Sequence, residues 1–179
     1  MTEIAKTYAQ GLYALAKEEN LAKSILDELS VLELSFAQTP EFIRLLATPN
    51  VSKQERCQIL DDSFRGEVQP YVLNFMKILT EKGYIRHFPD CCCAFREQYN
   101  QDNGIICVRV VTAQALQQDQ LERLTWKLIQ VTGKTVTLEC SVDPECLGGI
   151  RLDYDGKRVD GTVRNRLESI GKLLKNTIL

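Results

Sequence analysis

The segment from Val142 to Leu167 constrains the fold of this chain more than any other, because turn, strand and helix signals follow one another in it without a spare residue. The pair Gly148-Gly149 can adopt positive φ without a Cβ clash. The run Ile150–Tyr154 alternates apolar and polar residues as a half-buried strand does, and Asp155-Gly156 is a strong hairpin-turn signal. The segment therefore predicts a hairpin with strands at 149–154 and 157–159, and nothing in it indicates catalysis.

A helix is predicted to follow this hairpin, because apolar residues recur there at steps of three and four. Either Asp160 or Thr162 can cap its first turn. The apolar positions of the predicted helix are Val163, Leu167, Ile170, Leu174 and Ile178. We expect them to cover the apolar face of the hairpin.

Residues 1–103 are predicted to form an N-terminal six-helix bundle, because amphipathic stretches with a period near 3.6 follow one another with short breaks. Ser52 opens a capping box before the fourth helix, and Gly83 is a C-terminal stop after the fifth. The predicted helices run from about Glu3 to Glu19, after Asn20, from Pro40 towards Pro49, from Ser52, after Gly66, and from Ile85 to Asn100.

Residues 104–179 are predicted to form a second, small domain, because the period changes after Asn103-Gly104. The β-branched run 105–111 indicates a strand with much of both faces covered. A helix from Leu116 to Val131 and an alternating strand from Thr135 to Val142 follow. Their expected inward side chains are Leu121, Leu124, Leu128, Val131, Val136, Leu138, Cys140 and Val142. With the hairpin and last helix the order is β-α-β-β-β-α, so the fold class is α+β, mostly α.

The cysteines and the single histidine indicate neither a cofactor nor a metal site. Seven cysteines are scattered or adjacent, without the paired spacing of zinc ligands. One alternative stays open at this point: His87 and Cys91 are four residues apart and lie on one helix face, so a thiol-based enzyme is conceivable. The chain contains no phosphate-binding or nucleophile-elbow motif.

The charge pattern leaves a second alternative open, a nucleic-acid-binding module. The whole chain has a net charge of −2 and so no global field for nucleic acid. The end of the chain is basic, however: between Lys157 and Lys175 six basic residues face two acidic ones. Binding to an acidic partner helix is a better use of this charge, because no aromatic residues interleave with it.

Several motifs, taken in order, resemble the delta subunit of the bacterial F-type ATP synthase, which is homologous to the mitochondrial oligomycin-sensitivity-conferring protein. They are Tyr8–Ala16, Thr48–Ser52, Thr112-Ala113, Asp143, Gly148-Gly149-Ile150, Asp160-Gly161-Thr162-Val163 and Arg164-Asn165-Arg166-Leu167. Two features depart from the family pattern: Tyr84, where many relatives carry arginine, and the run Cys91-Cys92-Cys93.

The resemblance implies a non-catalytic, single-copy stator subunit that links the catalytic alpha/beta head to the peripheral stalk b subunits. In that family the first domain binds an N-terminal helix of the alpha subunit between its first and fifth helices. Carried over, this alpha-subunit groove consists of Tyr8, Gly11, Leu12, Leu15, Val72, Phe75, Met76 and Leu79. The implied stalk-binding region consists of Gly148, Gly149, Arg164, Arg166 and Leu167.

The expected location is the cytoplasmic face of the bacterial inner membrane, with membrane association only through the complex. No run of about 18 apolar residues is long enough to span a bilayer. The N-terminal residues lack the features of a secretory signal or an organelle presequence. This favours a bacterial chain over a mitochondrial precursor.

Overall fold

The computed structural model describes residues 2–154 and 156–169. It divides into two compact units, one up to Tyr99 and one from Asn100 onward. The chain is mostly helical, with one small four-stranded mixed sheet. This confirms the predicted class, α+β and mostly α.

The first unit is helical, and the predicted capping signals at Ser52 and Gly83 lie at helix ends. The elements are α1 (Glu3–Glu18), α2 (Ala22–Gln38), α3 (Pro40–Ala47), α4 (Lys53–Phe64), α5 (Pro70–Glu81), a 3₁₀ turn (Ile85–His87) and α6 (Phe88–Asp102). The Ser52 hydroxyl and the Glu55 carboxylate form the expected capping box of α4. The fifth helix begins at Pro70 and not directly after Gly66, because proline is favoured at a first helical position.

The core of the first unit is aromatic and aliphatic. The Phe36 ring contacts the rings of Phe42, Phe64 and Phe88 at centroid distances of 5.6, 6.0 and 5.2 Å. These pairs join α2, α3, α4 and α6 around one ring. Aromatic pairs of this kind add about 0.5–1.5 kcal/mol each beyond their buried area.

The second unit contains the predicted β-α-β-β-β succession. Its elements are β1 (Ile105–Thr112), α7 (Gln118–Thr132), β2 (Thr135–Val142), a 3₁₀ turn (Pro144–Cys146), β3 (Ile150–Tyr154) and β4 (Lys157–Asp160). The strand order is β2-β1-β3-β4, with β1 and β2 parallel and the other pairs antiparallel. The backbone is helical again over 163–169. The predicted helical positions Ile170, Leu174 and Ile178 lie outside the described residues.

The core of the second unit lies on one face of the sheet. Ile106, Val108 and Val110 of β1 are buried at its centre. The residues that pack against them are Leu116, Leu124, Leu128, Val136, Leu138, Ile150, Leu152 and Tyr154. On the other face of β1, Val111 is buried, Ile105 and Cys107 are partly buried, and only Arg109 is exposed. The expectation that much of both faces is covered is therefore wrong at Arg109 alone.

Several residues predicted to point inward are exposed. Val131 is 84% exposed because Thr132, not Val131, continues the inner line of α7 four residues after Leu128. Cys140 and Val142 are exposed at the end of the edge strand β2. Val163 and Leu167 are 42% and 56% exposed, so they do not bury the face of the hairpin as expected.

Candidate docking surfaces

Helix α1 carries two apolar stripes side by side. Ala5, Ala9, Leu12 and Ala16 are buried in the core of the first unit. The second stripe is displaced by one residue towards the N-terminus and consists of Ile4, Tyr8, Gly11 and Leu15, at steps of four, three and four. One residue corresponds to 100° around a helix, so the two stripes are adjacent but face different directions. We call the second set the α1 outer stripe.

The α1 outer stripe is accessible to a partner. Ile4 and Leu15 are 37% and 36% exposed, and Tyr8 is half-buried. The Tyr8 ring lies 6.0 Å from the Tyr84 ring. The backbone N–H of Tyr84 donates to the Leu79 carbonyl at 2.7 Å, which places Tyr8 beside the C-terminal end of α5.

Gly11 forms a notch in this stripe. A Cβ built on Gly11 meets no atom within 4 Å, so internal packing does not require glycine there. A glycine in a helix interior costs about 0.5–1 kcal/mol relative to alanine. Packing within the described structure therefore does not explain this glycine. A position at which a partner backbone approaches closely would have this property.

The predicted groove residues fall into two classes. Five of the eight are core residues that are at most 6% exposed: Leu12, Val72, Phe75, Met76 and Leu79. The other three, Tyr8, Gly11 and Leu15, belong to the α1 outer stripe. Sequence reasoning missed two exposed apolar side chains, Ile4 on α1 and Ile78 on α5, each 37% exposed. The signal for Ile4 was present, because it lies four residues before Tyr8.

In the second unit, the predicted stalk-binding residues surround a close backbone crossing. Gly149 has φ +79°, and a Cβ there would lie 2.4 Å from the Gly161 carbonyl oxygen. The Gly161 N–H donates to the Ile150 carbonyl at 2.9 Å, and the Val163 N–H donates to the Gly148 carbonyl at 3.0 Å. The two glycine-containing motifs of the sequence are therefore the two sides of one contact. We call it the glycine crossing.

Polar side chains fix the helix that leaves the glycine crossing. The Thr162 hydroxyl accepts from the Asn165 N–H at 3.2 Å, so Thr162 is the N-cap. The Thr162 hydroxyl itself donates to the Asp160 carboxylate at 2.7 Å, and this hydrogen bond is the main reason that the pKa of Asp160 is lowered. Of the two candidate capping residues, Thr162 therefore caps the helix directly, and Asp160 holds the Thr162 hydroxyl in place.

Arg164 is held by two carboxylates, whereas other side chains near the glycine crossing face solvent. Arg164 contacts Glu145 at 2.7 Å and Glu168 at 3.0 Å. Arg166 is exposed and has no ion-pair partner among the described residues. Leu147 is 66% exposed in the left-handed region, at φ 62°. Sequence reasoning missed Leu147, since a leucine with positive φ is an outlier that no local pattern predicts.

The thiol chemistry considered from the sequence is not supported. Cys91 is buried, and burial, followed by the charge of Asp90, raises the pKa of its thiol to about 12. The His87 Nδ1 atom is 3.8 Å from an Asp90 carboxylate oxygen, so its nearest described ionic partner is a carboxylate. A buried thiol with a raised pKa is a structural cysteine and not an activated nucleophile.

The basic C-terminal segment is partly neutralised. Arg158 contacts Asp153 at 2.6 Å, and Arg164 has its two carboxylate partners. Lys172 and Lys175 lie outside the described residues. Nothing in the described part of the chain supports the nucleic-acid alternative.

The described residues contain neither a metal-binding cluster nor a membrane-spanning helix. Within 2–154 and 156–169, no group of three or more His, Cys, Asp or Glu side chains is positioned to hold a metal ion. None of the helices in these ranges is both long and apolar enough to cross a membrane.

Comparisons with known proteins agree over nearly the whole chain. Residues 4–174 match the family model described as ATP synthase delta (OSCP) subunit. The sequence is 31% identical over 176 residues to ATP synthase subunit delta of Clostridioides difficile (strain 630). The matched region covers 98% of this chain and 97% of that relative. It is also 31% identical to ATP synthase subunit delta of Magnetococcus marinus (strain ATCC BAA-1437 / JCM 17883 / MC-1), and this match covers 96% of this chain and 94% of that relative.

A solved structure has the same fold. A chain of the Toxoplasma gondii mitochondrial ATP synthase hexamer superposes with a TM-score of 0.78 at 19% identity. The match covers 97% of this chain and 98% of that one.

Proposed function

Because the chain belongs to the ATP synthase delta (OSCP) subunit family, we propose that its two compact units are the two ends of one connector. The subunit is non-catalytic and acts as a stator, so that rotation is coupled to ATP synthesis. It links the catalytic alpha/beta head to the peripheral stalk b subunits. In this proposal residues 1–103 form the six-helix bundle that holds the head, and residues 104–179 form the β-α-β-β-β-α domain that holds the stalk.

The α1 outer stripe carries the proposal for the head-binding end. An apolar helix face left uncovered beside a complete core is typical of a helix-in-groove interface, in which anchors recur at helical spacing. The proposed partner is an N-terminal helix of the alpha subunit. It lies along Tyr8 and Leu15, with its backbone close to Gly11, and Ile4 and Ile78 extend the contact. The buried residues Leu12, Val72, Phe75, Met76 and Leu79 belong to the core of the same unit.

The glycine crossing and the helix that follows it are the proposed stalk-binding end. Leu147 and Leu167 supply exposed apolar area, and Arg166 supplies a charge for an acidic partner. The positive φ of Leu147 costs on the order of 1 kcal/mol. Backbone strain combined with exposure of a large apolar side chain is typical of a binding position. Gly148, Gly149 and Arg164 fix the backbone from which these side chains project.

We further propose that the protein acts at the cytoplasmic face of the bacterial plasma membrane. The proposal is supported by the bacterial sources of its relatives, such as Clostridioides difficile and Magnetococcus marinus. Membrane association would then come through the assembled synthase, as one copy per complex.

A Gly11→Leu substitution tests the head-binding end. Leucine should stabilise α1, since it is a better helix former than glycine by about 0.8 kcal/mol and a Cβ at this position meets no atom within 4 Å. It should nevertheless weaken binding of an alpha-subunit N-terminal peptide by about tenfold or more, because it fills the notch. Titration calorimetry with the full chain measures the affinity, and thermal unfolding measures the stability.

The matched control is Gln10→Leu, which introduces the same side chain at an exposed position of α1 away from the outer stripe. It should leave peptide affinity unchanged. Equal affinities for the wild type, Gly11→Leu and Gln10→Leu would refute the proposed surface. Loss of binding by both variants would mean that added bulk anywhere on α1 interferes.

Removal of residues 162–179 tests the two-ended connector. The glycine crossing loses the Val163 N–H bond and the Thr162 cap, so the stalk-binding end should fail. The first unit has its own core and should still bind the head. Reconstitution of stripped membranes should then show ATP hydrolysis uncoupled from proton pumping. Normal coupling with the truncated chain would contradict the proposed stalk-binding end.

A further inference from the structure

Strand β2 presents an unpaired backbone edge. In the described sheet β2 is the outermost strand beside β1, and among residues 2–154 and 156–169 no other strand pairs with its outer side. The Thr135 N–H donates to the Gly104 carbonyl at 3.1 Å, and the Asp143 N–H donates to the Thr112 carbonyl at 2.8 Å. Odd-numbered residues of β2 therefore bond to β1. In a parallel pair, the alternate residues direct their N–H and C=O groups away from the partner strand.

Four residues of β2 thus direct both backbone groups outward: Val136, Leu138, Cys140 and Val142. The edge lacks the features that normally prevent strand addition. It is eight residues long, contains no proline, and carries one charge, that of Glu139. The opposite edge strand β4 has four residues, three of which are charged. Natural sheets protect edges by shortness, charge or proline, so only one of these two edges is protected.

Two apolar side chains at the end of β2 also lack a cover. Cys140 and Val142 lie on the α7 side of the sheet, in register with Val110 and Thr112, yet both are exposed, Val142 by 53%. An added strand would place its alternate side chains beside them on that face. On the opposite face, Glu139 has Arg109 3.9 Å away on its β1 side, and its other side is the open edge.

We propose that β2 receives an extended segment of the peripheral stalk as a fifth strand of the sheet. The segment alternates apolar and polar residues, with the apolar ones beside Cys140 and Val142 and a basic residue beside Glu139. Backbone hydrogen bonds provide the affinity, and the alternating side chains fix the register. This inference rests on the proposed function, because it names a second, strand-like contact of the same stalk-binding unit.

Hydrogen exchange at single-amide resolution tests the strand directly, with the full chain studied alone and assembled in the purified synthase. In the isolated chain the N–H groups of Val136, Leu138, Cys140 and Val142 should exchange fast, and those of Thr137, Glu139 and Ser141 should be protected. In the synthase all seven should be protected, the outward four by at least about a hundredfold. Outward amides that still exchange fast in the assembled synthase would overturn the inference and leave the proposed function standing. A chain that does not assemble would overturn the proposed function, and this inference with it.

A pair of variants at one position separates strand addition from simple burial. Cys140→Pro removes one outward N–H, and proline is tolerated at edge positions whose N–H faces solvent. It should weaken binding of the purified b subunits by about tenfold, since the pairing loses a hydrogen bond and meets the proline ring. Cys140→Ala keeps the N–H and should bind within about twofold of the wild type. Equal binding by the proline and alanine variants, with fast outward exchange, would overturn the inference. Far-UV circular dichroism checks the fold of both variants, and the exchange measurement on the wild type stands whatever they show.

Discussion

The substitution Gly149→Ala should destabilise the second unit far more than a glycine-to-alanine change normally does. The alanine would have to keep φ near +79°, which costs about 1 kcal/mol for a residue with a Cβ. Its Cβ would also lie 2.4 Å from the Gly161 carbonyl oxygen, which is backbone and cannot rotate away. The two backbone segments of the glycine crossing must therefore separate.

Separation of these two backbone segments removes two backbone hydrogen bonds. These are Gly161 N–H to the Ile150 carbonyl at 2.9 Å and Val163 N–H to the Gly148 carbonyl at 3.0 Å. At about 1 kcal/mol each, they bring the expected loss to about 3 kcal/mol. A unit of this size has a total stability on the order of 4–12 kcal/mol. The substitution should therefore remove a large fraction of it.

Gly156→Ala is the matched control. Gly156 also has positive φ, at +71°, but a Cβ there meets no atom within 4 Å. It should cost only the backbone preference, about 1 kcal/mol. The comparison isolates the steric and hydrogen-bond part of the effect, because both variants replace a glycine of similar φ by alanine.

Urea unfolding followed by tryptophan fluorescence measures both variants. Trp126 is the only tryptophan and lies on α7, so its signal reports the second unit alone. With a slope of about 1 kcal/mol per molar urea, the midpoint should fall by about 3 M for Gly149→Ala and about 1 M for Gly156→Ala. Equal midpoints for the two variants would refute the argument that the crossing requires glycine at position 149.

Two further predictions concern the first unit. Asp61 contacts Lys77 at 2.6 Å, and that hydrogen bond is the main reason that its pKa is lowered. A carboxyl with a lowered folded-state pKa stabilises the fold above its unfolded pKa near 4 and loses this contribution as the pH falls below about 5. In urea unfolding followed by circular dichroism, Asp61→Asn should therefore lose less stability than the wild type between pH 6 and pH 3. Equal losses of stability in the variant and the wild type would contradict this, and Asp62→Asn is the control. Cys91 should resist iodoacetamide at pH 8, since with a pKa of about 12 only about one thiol in ten thousand is ionised; mass spectrometry of the native protein checks this, and rapid labelling would refute its burial.

The sequence predicted the glycine crossing only in part. A Gly-Gly pair followed by an alternating strand indicates a turn, and Asp160–Val163 indicates a helix start, because both are local patterns. Their mutual contact could not be predicted from spacing, since it joins residues twelve positions apart across a hairpin. Only Gly149 of the pair has positive φ, whereas Gly148 does not. A Cβ on Gly148 would lie 3.4 Å from the Val163 Cγ2 atom, which is ordinary van der Waals contact, so the crossing requires glycine at position 149 and not at position 148.

The exposed surfaces were harder to predict than the elements that carry them. Helical periodicity identifies an apolar face, but α1 has two such faces one residue apart, and both satisfy a period near 3.6. The sequence alone therefore did not separate Leu12, which is buried, from Leu15, which is exposed. The same limit applies to β2, because strict alternation predicts an inward face for Cys140 and Val142 but not whether any element reaches far enough to cover them.

The two proposed ends resist slippage by different means. Apolar burial is non-directional, so a helix on the α1 outer stripe could shift by one turn and still bury similar area. The notch at Gly11 opposes such a shift, because only one part of the partner helix can approach there. On β2 the outward N–H and C=O groups recur at every second residue, and a one-residue slip would turn every side chain of an added strand to the wrong face. A stator joint transmits torque only if neither end slips, so the glycine notch and the strand register are the features whose loss should uncouple the complex while leaving both units folded.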